Sequence, residues 1–150
     1  MSTEISIASI NDLPVLAELL NDLFSQDIEF FPNLAKQKMG LEKIINNPEI
    51  GEILVIKVDN QVLGMVSLLY SISTALGGRV AVLEDMVIDK NHRQKGLGKE
   101  LLGEAIRFAK KKDCLRLTLL TDYNNDVAIK FYKHFGFKKS EMIPMRLVFD

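Results

Sequence analysis

The spacing of apolar residues predicts that strands and helices alternate along this 150-residue chain. Stretches in which every second residue is apolar are typical of strands, and leucines spaced three and four apart are typical of helices. The predicted elements, in chain order, are strand 3–10, a helix that Asn11 or Asp12 caps, helix 34–45, strands 52–58, 62–71 and 79–89, helix 97–111, strand 114–121, a short helix that begins at Asn124 or Asn125 and ends at Gly136, and strand 145–149. This order predicts a single mixed α/β domain over residues 1–150 with one central sheet.

The strand over 79–89 is apolar on both of its faces, which indicates an interior strand. A helix and then the strand over 114–121 follow it. A right-handed crossover should therefore place these two strands side by side and parallel. Ligands of open α/β sheets bind at the carboxyl ends of such strands, so we expect the binding site at the loop after residue 89.

Two features indicate a functional site, one in the strand before that loop and one in the loop itself. Glu84 and Asp85 lie inside the apolar strand, where an unpaired charge is costly. The loop over 93–98 is basic, contains two glycines and opens a helix, and free N–H groups at a helix start bind phosphate groups. The loop is not a P-loop, because Glu100 stands where Ser or Thr is required. It is not a dinucleotide fingerprint either, because Leu101 stands where Gly is required.

Composition restricts the compartment and the cofactors. No apolar run approaches the roughly 18 to 20 residues that span a bilayer, and the first ten residues lack the pattern of a signal peptide. Cys114 is the only cysteine, so no internal disulfide can form. We therefore expect a cytoplasmic protein without a membrane partner. No Cys/His cluster has the spacing of metal ligands, so no metal is expected.

Charge is unevenly distributed although the net charge is −1. Residues 1–50 hold eight acids and three bases, whereas residues 90–139 hold thirteen bases and five acids. One half should therefore attract cations and the other half anions. The basic half lacks interleaved aromatic residues and a recognition-helix pattern, so we expect no nucleic-acid partner.

A second segment complements the loop over 93–98; it consists of Asn125, Ala128, Phe131 and Tyr132 followed by Gly136-Phe137. Together the two segments resemble the GNAT superfamily of acyl-CoA-dependent N-acyltransferases. The loop is similar to that family's pyrophosphate loop, Leu83-Glu84-Asp85 resembles the polyamine acetyltransferase branch, and Lys90 departs from the proline of many relatives. The resemblance implies a mixed sheet of about six to seven strands flanked by four helices and splayed between the fourth and fifth strands.

The resemblance implies acetyl-CoA as the cosubstrate. The strand over 79–89 would carry a bulge, its backbone over 86–88 would pair with the pantetheine arm, and the N–H groups over 94–99 would hold the pyrophosphate. Asn125 would cap the short helix and could also bind the pantetheine. The implied cofactor-binding residues are Met86, Val87, Ile88, Arg93, Gln94, Lys95, Gly96, Leu97, Gly98, Lys99, Asn125 and Tyr132.

Catalytic roles follow from the same resemblance. Glu84 is the candidate general base that removes a proton from the acceptor amine, or else an anchor for that amine. Tyr132 is the candidate general acid for the departing thiolate, or else a core aromatic residue. Asp85 is expected to point to the opposite face of the strand and to serve in structural pairing. The acceptor would bind at acidic and aromatic residues between the first two helices, unless these form a solvated loop: Asp27, Glu29 and Phe31, together with Glu84.

The expected activity is transfer of an acetyl group from acetyl-CoA to a primary amine, by direct attack in a ternary complex. A small cationic amine is the preferred acceptor. The alternative is a non-catalytic acyl-CoA-binding sensor or an interaction module on the same fold. A homodimer is one option for the oligomeric state, since dimers are common in folds of this size and family.

Overall fold

The computed structural model describes residues 2–27 and 29–150. The chain forms two compact units, of which the first extends to Leu120 and the second begins at Thr121; the single domain remains a prediction. The second unit contains helix α4 (Asp126–His134). The elements of the first unit are strands β1 (Thr3–Ile7), β2 (Gly51–Val58), β3 (Gln61–Ser73), β4 (Gly78–Ile88) and β5 (Leu117–Leu119), and helices α1 (Leu13–Phe24), α2 (Leu34–Ile45) and α3 (Leu97–Lys111).

The strands form one sheet in the order β1-β2-β3-β4-β5. The first four strands pair antiparallel, and β5 pairs parallel to β4. The crossover through α3 explains the parallel pairing, because a strand, a helix and a returning strand place the two strands side by side. This confirms the mixed α/β class.

The sheet is covered by helices on both faces. On the face toward α1 and α2, which we call the α1 face, Val55, Met65 and Val87 belong to one buried cluster with Leu16 and Leu41. Residues of the opposite parity on β2 and β3, which are equally buried, point to the other face, which we call the α3 face. The site described below lies at the end of β4. Val87, near this end, packs on the α1 face, and the chain continues from β4 toward the start of α3.

A buried charge on the α3 face is compensated within the first unit. The Glu52 carboxylate is buried, accepts a hydrogen bond of 2.7 Å from the Tyr70 hydroxyl and lies 3.4 Å from the Lys112 ammonium. Burial and the neighbouring Glu52 raise the pKa of Tyr70, so this hydroxyl stays a donor. Glu52, Tyr70 and Lys112 therefore have a structural role, because the buried carboxylate is paired with both of its neighbours.

The structure differs from the sequence prediction at the carboxyl-terminal part of the chain. The described residues form five strands rather than about six to seven. β5 is shorter than the predicted 114–121, and 145–149 is not a strand. Alternation identifies a segment that could line a sheet, but a strand also needs a neighbour for its backbone groups. Val127 on α4 is exposed.

None of the helices among residues 2–27 and 29–150 is long and apolar enough to cross a membrane.

Gly64 permits the close approach of β3 and β4. A Cβ at this position would lie 2.5 Å from Ile88 Cδ1 and 3.1 Å from the Val87 carbonyl oxygen. We expect Gly64→Ala to lower the free energy of unfolding by about 1–3 kcal/mol in a urea titration, because the core is overpacked. The control is Gly40→Ala in α2, where a Cβ meets no atom within 4 Å. It should raise stability by roughly 0.5–1 kcal/mol. A Gly64→Ala protein as stable as the parent would contradict the close packing.

Candidate active site

The strand β4 carries a bulge at its two central polar positions. Met65 pairs with Val87 and Ser67 pairs with Glu84 across β3 and β4. Two residues of β4, Asp85 and Met86, therefore lie opposite the single residue between Met65 and Ser67. One extra residue on one strand is the definition of a β-bulge, and such bulges re-aim side chains near functional sites. The bulge expected from the family resemblance is present.

Asp85 adopts a backbone conformation that few residues other than glycine take. Its φ is +53°, in the left-handed region. Aspartate and asparagine tolerate this region better than other side chains, yet it still costs energy. The pairing on either side of the bulge holds the residue there, because both the Glu84 and the Val87 pairs are intact. The strand therefore stores local strain at a carboxylate.

Three carboxylates act on one another at this bulge. Burial, together with the negative charges of Glu84 and Asp27, raises the pKa of Asp85 to about 6. Glu84 is exposed, whereas Asp85 is partly buried. From the sequence, Glu84 is the candidate general base and Asp85 is expected to serve in structural pairing. Among the described residues, no ion pair or side-chain hydrogen bond involves the Asp85 carboxyl group, so its structural pairing stays a prediction.

The parallel ladder between β4 and β5 stops before the bulge. Its register runs from Ala81 opposite Leu117 to Leu83 opposite Leu119, while β4 continues to Ile88. The last part of β4, over 84–88, therefore has no partner in β5. A sheet edge of this kind presents backbone groups that another extended chain can pair with.

Only alternate residues offer backbone groups to that edge. The Asp89 N–H donates to the Leu63 carbonyl at 2.7 Å, so Val87, two residues earlier, also directs its backbone groups toward β3. Met86 and Ile88 direct theirs to the opposite edge. Among the three residues of 86–88 predicted to pair with a pantetheine, Val87 therefore contributes no backbone group to the edge, and its side chain lies in the core.

The loop after β4 has the form of an anion site. Gln94 and Gly96 have φ of +63° and +82°, and Gly96 is the first cap residue of α3. The first helical bond joins Glu100 N–H to the Gly96 carbonyl at 3.1 Å, so the N–H groups over 97–99 have no acceptor in the helix. Gly96 has no side chain that could cap them. The predicted cations, Arg93, Lys95 and Lys99, are exposed beside these groups.

Side-chain contacts fix the entrance of this loop. Asp89 Oδ2 lies 2.7 Å from His92 Nδ1 and accepts a hydrogen bond of 3.1 Å from the Asn91 N–H. The contact with His92 is the main cause that lowers the pKa of Asp89. Arg93 Nε donates to the Ile88 carbonyl at 3.2 Å. One of the predicted phosphate-binding cations therefore also contacts the open edge of β4.

The predicted acceptor-binding residues are not equally placed. Asp27 lies close enough to Asp85 to raise its pKa. Its Oδ1 is also 3.5 Å from the Glu29 N–H, and Glu29 is exposed. The side chain of Phe31 is 89% exposed. The structure thus brings Asp27 to the bulge carboxylates, whereas Phe31 forms no wall beside them.

The second unit holds the other two predicted site residues. Asn125 caps α4, since its side-chain oxygen accepts a hydrogen bond of 3.1 Å from the Ala128 N–H. Tyr132 packs edge-on against Phe131 and Phe137, with ring centroids 5.4 and 5.8 Å away. Burial raises the pKa of Tyr132, which keeps the phenol protonated. The capping role predicted for Asn125 is confirmed.

One residue of the site was not anticipated from the sequence. Ser67 is fully buried, and its hydroxyl is the one buried side-chain polar atom without a partner in the described part of the chain. Directly paired residues of antiparallel strands point to the same face, so this hydroxyl lies on the same side as Glu84. A serine within an apolar strand could have signalled this position, because a buried hydroxyl needs a partner.

No group of three or more potential metal ligands occurs among residues 2–27 and 29–150.

Asp85→Asn tests the burial of this carboxylate. The pKa of Asp85 is raised from 3.8 to about 6 in the folded state. Between these two pH values the folded state keeps a proton that the unfolded state has lost. Stability therefore falls as the pH rises from 3.8 to about 6. Asparagine tolerates the same φ and carries no charge. We expect urea titrations to show a gain of about 1–2 kcal/mol near pH 8 and almost none near pH 4. An equal gain at both pH values would contradict the burial.

The matched control for that measurement is Asp59→Asn. Asp59 also has a positive φ, of +50°, but lies exposed in the turn between β2 and β3. Its stability should change little at either pH, because an exposed charge is well solvated.

Comparison with known proteins identifies the family. The sequence pattern of the acetyltransferase (GNAT) family matches residues 16–137. The chain is 32% identical over 88 residues to a glucosamine 6-phosphate N-acetyltransferase of Trypanosoma brucei brucei. The aligned residues are 58% of this chain and 57% of that protein. It is 27% identical over 126 residues to the uncharacterized N-acetyltransferase YhfO of Bacillus subtilis, with 82% and 84% covered.

Some relatives are longer than the matched region. An uncharacterized N-acetyltransferase of Methanocaldococcus jannaschii is 34% identical over 64 residues, which are 43% of this chain but only 28% of that protein. Among solved structures, a possible acetyltransferase from Clostridium difficile 630 superposes with a TM-score of 0.87 at 18% identity, covering 99% of this chain and 100% of the other. This likeness shows the fold. With the family pattern matched over most of its length, the chain belongs to the acetyltransferase (GNAT) family.

Proposed function

We propose that this protein transfers an acetyl group from acetyl-CoA to the amine of a small cationic acceptor, by direct attack in a ternary complex. One observation carries the proposal. β4 extends beyond its parallel neighbour, so that an open strand edge leads directly into a helix start with free N–H groups. Such an edge can pair with the amides of an extended ligand and such a helix start can bind phosphate groups, which are the two polar features of an acyl-CoA.

The residues of β4 and α3 fit the two polar parts of acetyl-CoA. The amides of a pantetheine arm would pair with the edge-facing groups of Met86 and Ile88, as an added strand does. A diphosphate would accept hydrogen bonds from the N–H groups over 97–99 and attract the cations of the loop. Arg93 would have to share its guanidinium between the diphosphate and the Ile88 carbonyl.

The charges on the α1 side favour a cationic acceptor. Asp27, Glu84 and Asp85 bring three carboxyl groups together, and no described cation forms an ion pair with any of them. An ammonium group would relieve their mutual repulsion. The Trypanosoma relative is named for a sugar phosphate, which makes glucosamine 6-phosphate a second candidate acceptor. The phosphate of that acceptor would be repelled here, so we rank it below a simple polyamine or diamine.

The reaction needs one proton removed and one supplied. A carboxylate of the bulge would take a proton from the acceptor ammonium, and the freed lone pair would attack the thioester carbonyl carbon. The C–N bond forms, the C–S bond then breaks, and the amide nitrogen loses its remaining extra proton to water. We propose that Tyr132 protonates the departing thiolate, which its raised pKa supports, because a protonated phenol can act as an acid.

Several wider expectations belong to this proposal. The enzyme would act in the cytoplasm on a small molecule, without a metal, a nucleic acid or a membrane as partner, and could form a homodimer. Membership of the polyamine acetyltransferase branch rests on Leu83-Glu84-Asp85. The alternative function is acyl-CoA sensing without catalysis, which would use the same strand edge and helix start.

Turnover with a panel of amines tests the proposed function. Wild-type protein, acetyl-CoA and a thiol-detecting reagent are combined with spermidine, putrescine, lysine or glucosamine 6-phosphate, and thiol release is followed. We expect the cationic amines to give the highest kcat/KM. Acetyl-CoA binding by calorimetry without turnover on any amine would favour the sensor.

Tyr132→Phe tests the proton donor. Loss of a general acid costs on the order of 10²-fold or more, so we expect kcat to fall by about that factor while the KM for acetyl-CoA changes little. Tyr123→Phe is the control, because Tyr123 lies in the same unit and is 83% exposed. An unchanged kcat in Tyr132→Phe would remove Tyr132 from the mechanism.

A further inference from the structure

We propose that Asp85 takes the proton from the bound acceptor ammonium, while Glu84 and Asp27 hold that ammonium in place. The inference rests on the proposed acetyl transfer and assigns its proton acceptor. It reverses the assignment expected from the sequence, in which Glu84 is the base and Asp85 a structural residue.

The bulge is the first reason for this assignment. In a regular strand, the residue after Glu84 would point to the α3 face. The extra residue of the bulge interrupts that alternation. Asp85 is within electrostatic range of Asp27, which follows α1, so its carboxyl group is influenced by charges on the α1 side. The bulge thus puts a second carboxylate at the place where only Glu84 was expected.

The surroundings of the two carboxylates differ in the way that their roles require. Glu84 is exposed and can meet an incoming cation in water, whereas Asp85 is partly buried. The charged groups that act on Asp85 are Glu84 beside it on β4 and Asp27 beyond α1. Across the ladder, the facing residues of β3, Val66 and Ser67, carry no charge. A carboxylate whose pKa is near 6 is ionised at neutral pH and still basic enough to accept a proton.

Ser67 gives independent evidence that a polar ligand belongs here. Its hydroxyl is completely buried and without a partner on the same side as Glu84. A buried hydroxyl that pairs with nothing costs free energy, and such exceptions to hydrogen-bond satisfaction call for an explanation. A bound ammonium could donate to this oxygen, or the hydroxyl could donate to a carboxylate once the amine is held. Three carboxylates and one unpaired hydroxyl therefore surround the bulge.

The position of Asp85 along β4 places it next to the proposed cosubstrate contacts. It directly precedes Met86, the first residue whose backbone groups face the open edge. It also follows the last β5-paired residue, Leu83, by two positions. A base at this point is next in the chain to the backbone proposed to hold the pantetheine, and the acetyl group lies at the end of that arm.

Proton transfer to Asp85 precedes formation of the C–N bond. The acceptor R–NH3⁺ gives one proton to the Asp85 carboxylate, which becomes a neutral carboxylic acid, and the amine gains a free lone pair. The lone pair forms the C–N bond, the C–S electrons leave with sulfur, which takes a proton from Tyr132, and the new amide nitrogen gives its remaining extra proton to water. Asp85 afterwards releases its proton to water. Glu84 and Asp27 take no part in the proton transfer and hold the acceptor ammonium before it.

The pH dependence of kcat/KM separates this role from a structural one. With wild-type enzyme and the best amine of the panel, kcat/KM should rise through about pH 6 and then level off, because the ionised base is fully formed. In Asp85→Asn, only acceptor that is already unprotonated can react. We expect about 100-fold or greater loss near pH 7, a continuous rise of about tenfold per pH unit above it, and a much smaller loss near pH 9.5.

Three further variants make the result decisive. Asp85→Gly also tolerates the positive φ and lacks the carboxylate, so it should show the same profile as Asp85→Asn. Glu84→Gln should keep the levelling-off above about pH 6 and raise the KM for the amine several-fold. Asp59→Asn, which shares the positive φ but lies in an exposed turn, should match wild type. Thermal unfolding and acetyl-CoA titration verify that each variant is folded.

Failure of this assignment is distinct from failure of the proposed function. Wild-type protein without turnover on any amine contradicts acetyl transfer itself. Active wild type with an Asp85→Asn profile that still levels off above about pH 6 contradicts Asp85 as the proton acceptor. A loss of equal size at every pH also contradicts it, since that pattern indicates damage to binding or structure. Loss of the levelling-off in Glu84→Gln alone would return the role to Glu84.

Discussion

Backbone pairing between β3 and β4 continues on both sides of an interruption, and the fold and the site both depend on that continuity. Before the bulge the ladder joins Ser67 to Glu84, and after it Met65 to Val87. A residue with a positive φ is retained only where its neighbours are fixed, and the left-handed conformation of Asp85 costs on the order of 1–3 kcal/mol. The close approach at Gly64 helps to fix the far side, because it lets β4 pack tightly against β3.

The same strand separates two kinds of electrostatic environment. On the α1 side the carboxyl groups of Asp27, Glu84 and Asp85 repel one another, and just beyond the strand the loop over 93–98 is basic. Like-charge repulsion of this kind lowers the stability of the folded state. β4 therefore carries an acidic segment and is followed by a basic loop, so charges of opposite sign lie close together along this part of the chain.

Local signals in the sequence predicted the helices well and the site only in part. The bounds of α2 and α3 agree with prediction, because caps and apolar periodicity act within a few residues. The division of labour at the bulge was not predictable, since Glu84 and Asp85 look alike in sequence and only the extra residue decides which of them is buried. The predicted strand over 145–149 had the right alternation, but periodicity contains no information on a pairing partner.

The extra residue in β4 also determines what deletion of one residue from this strand would do. Without Met86, β4 would have one residue opposite Val66, and every pair from Gly78 to Ile88 would fall into ordinary register. The apolar residues would keep their faces, so the domain would remain well folded. The aspartate, however, would turn toward α3 and away from Asp27. A single-codon deletion would thus move the carboxylate that we propose as the proton acceptor and leave the apolar faces of the sheet unchanged.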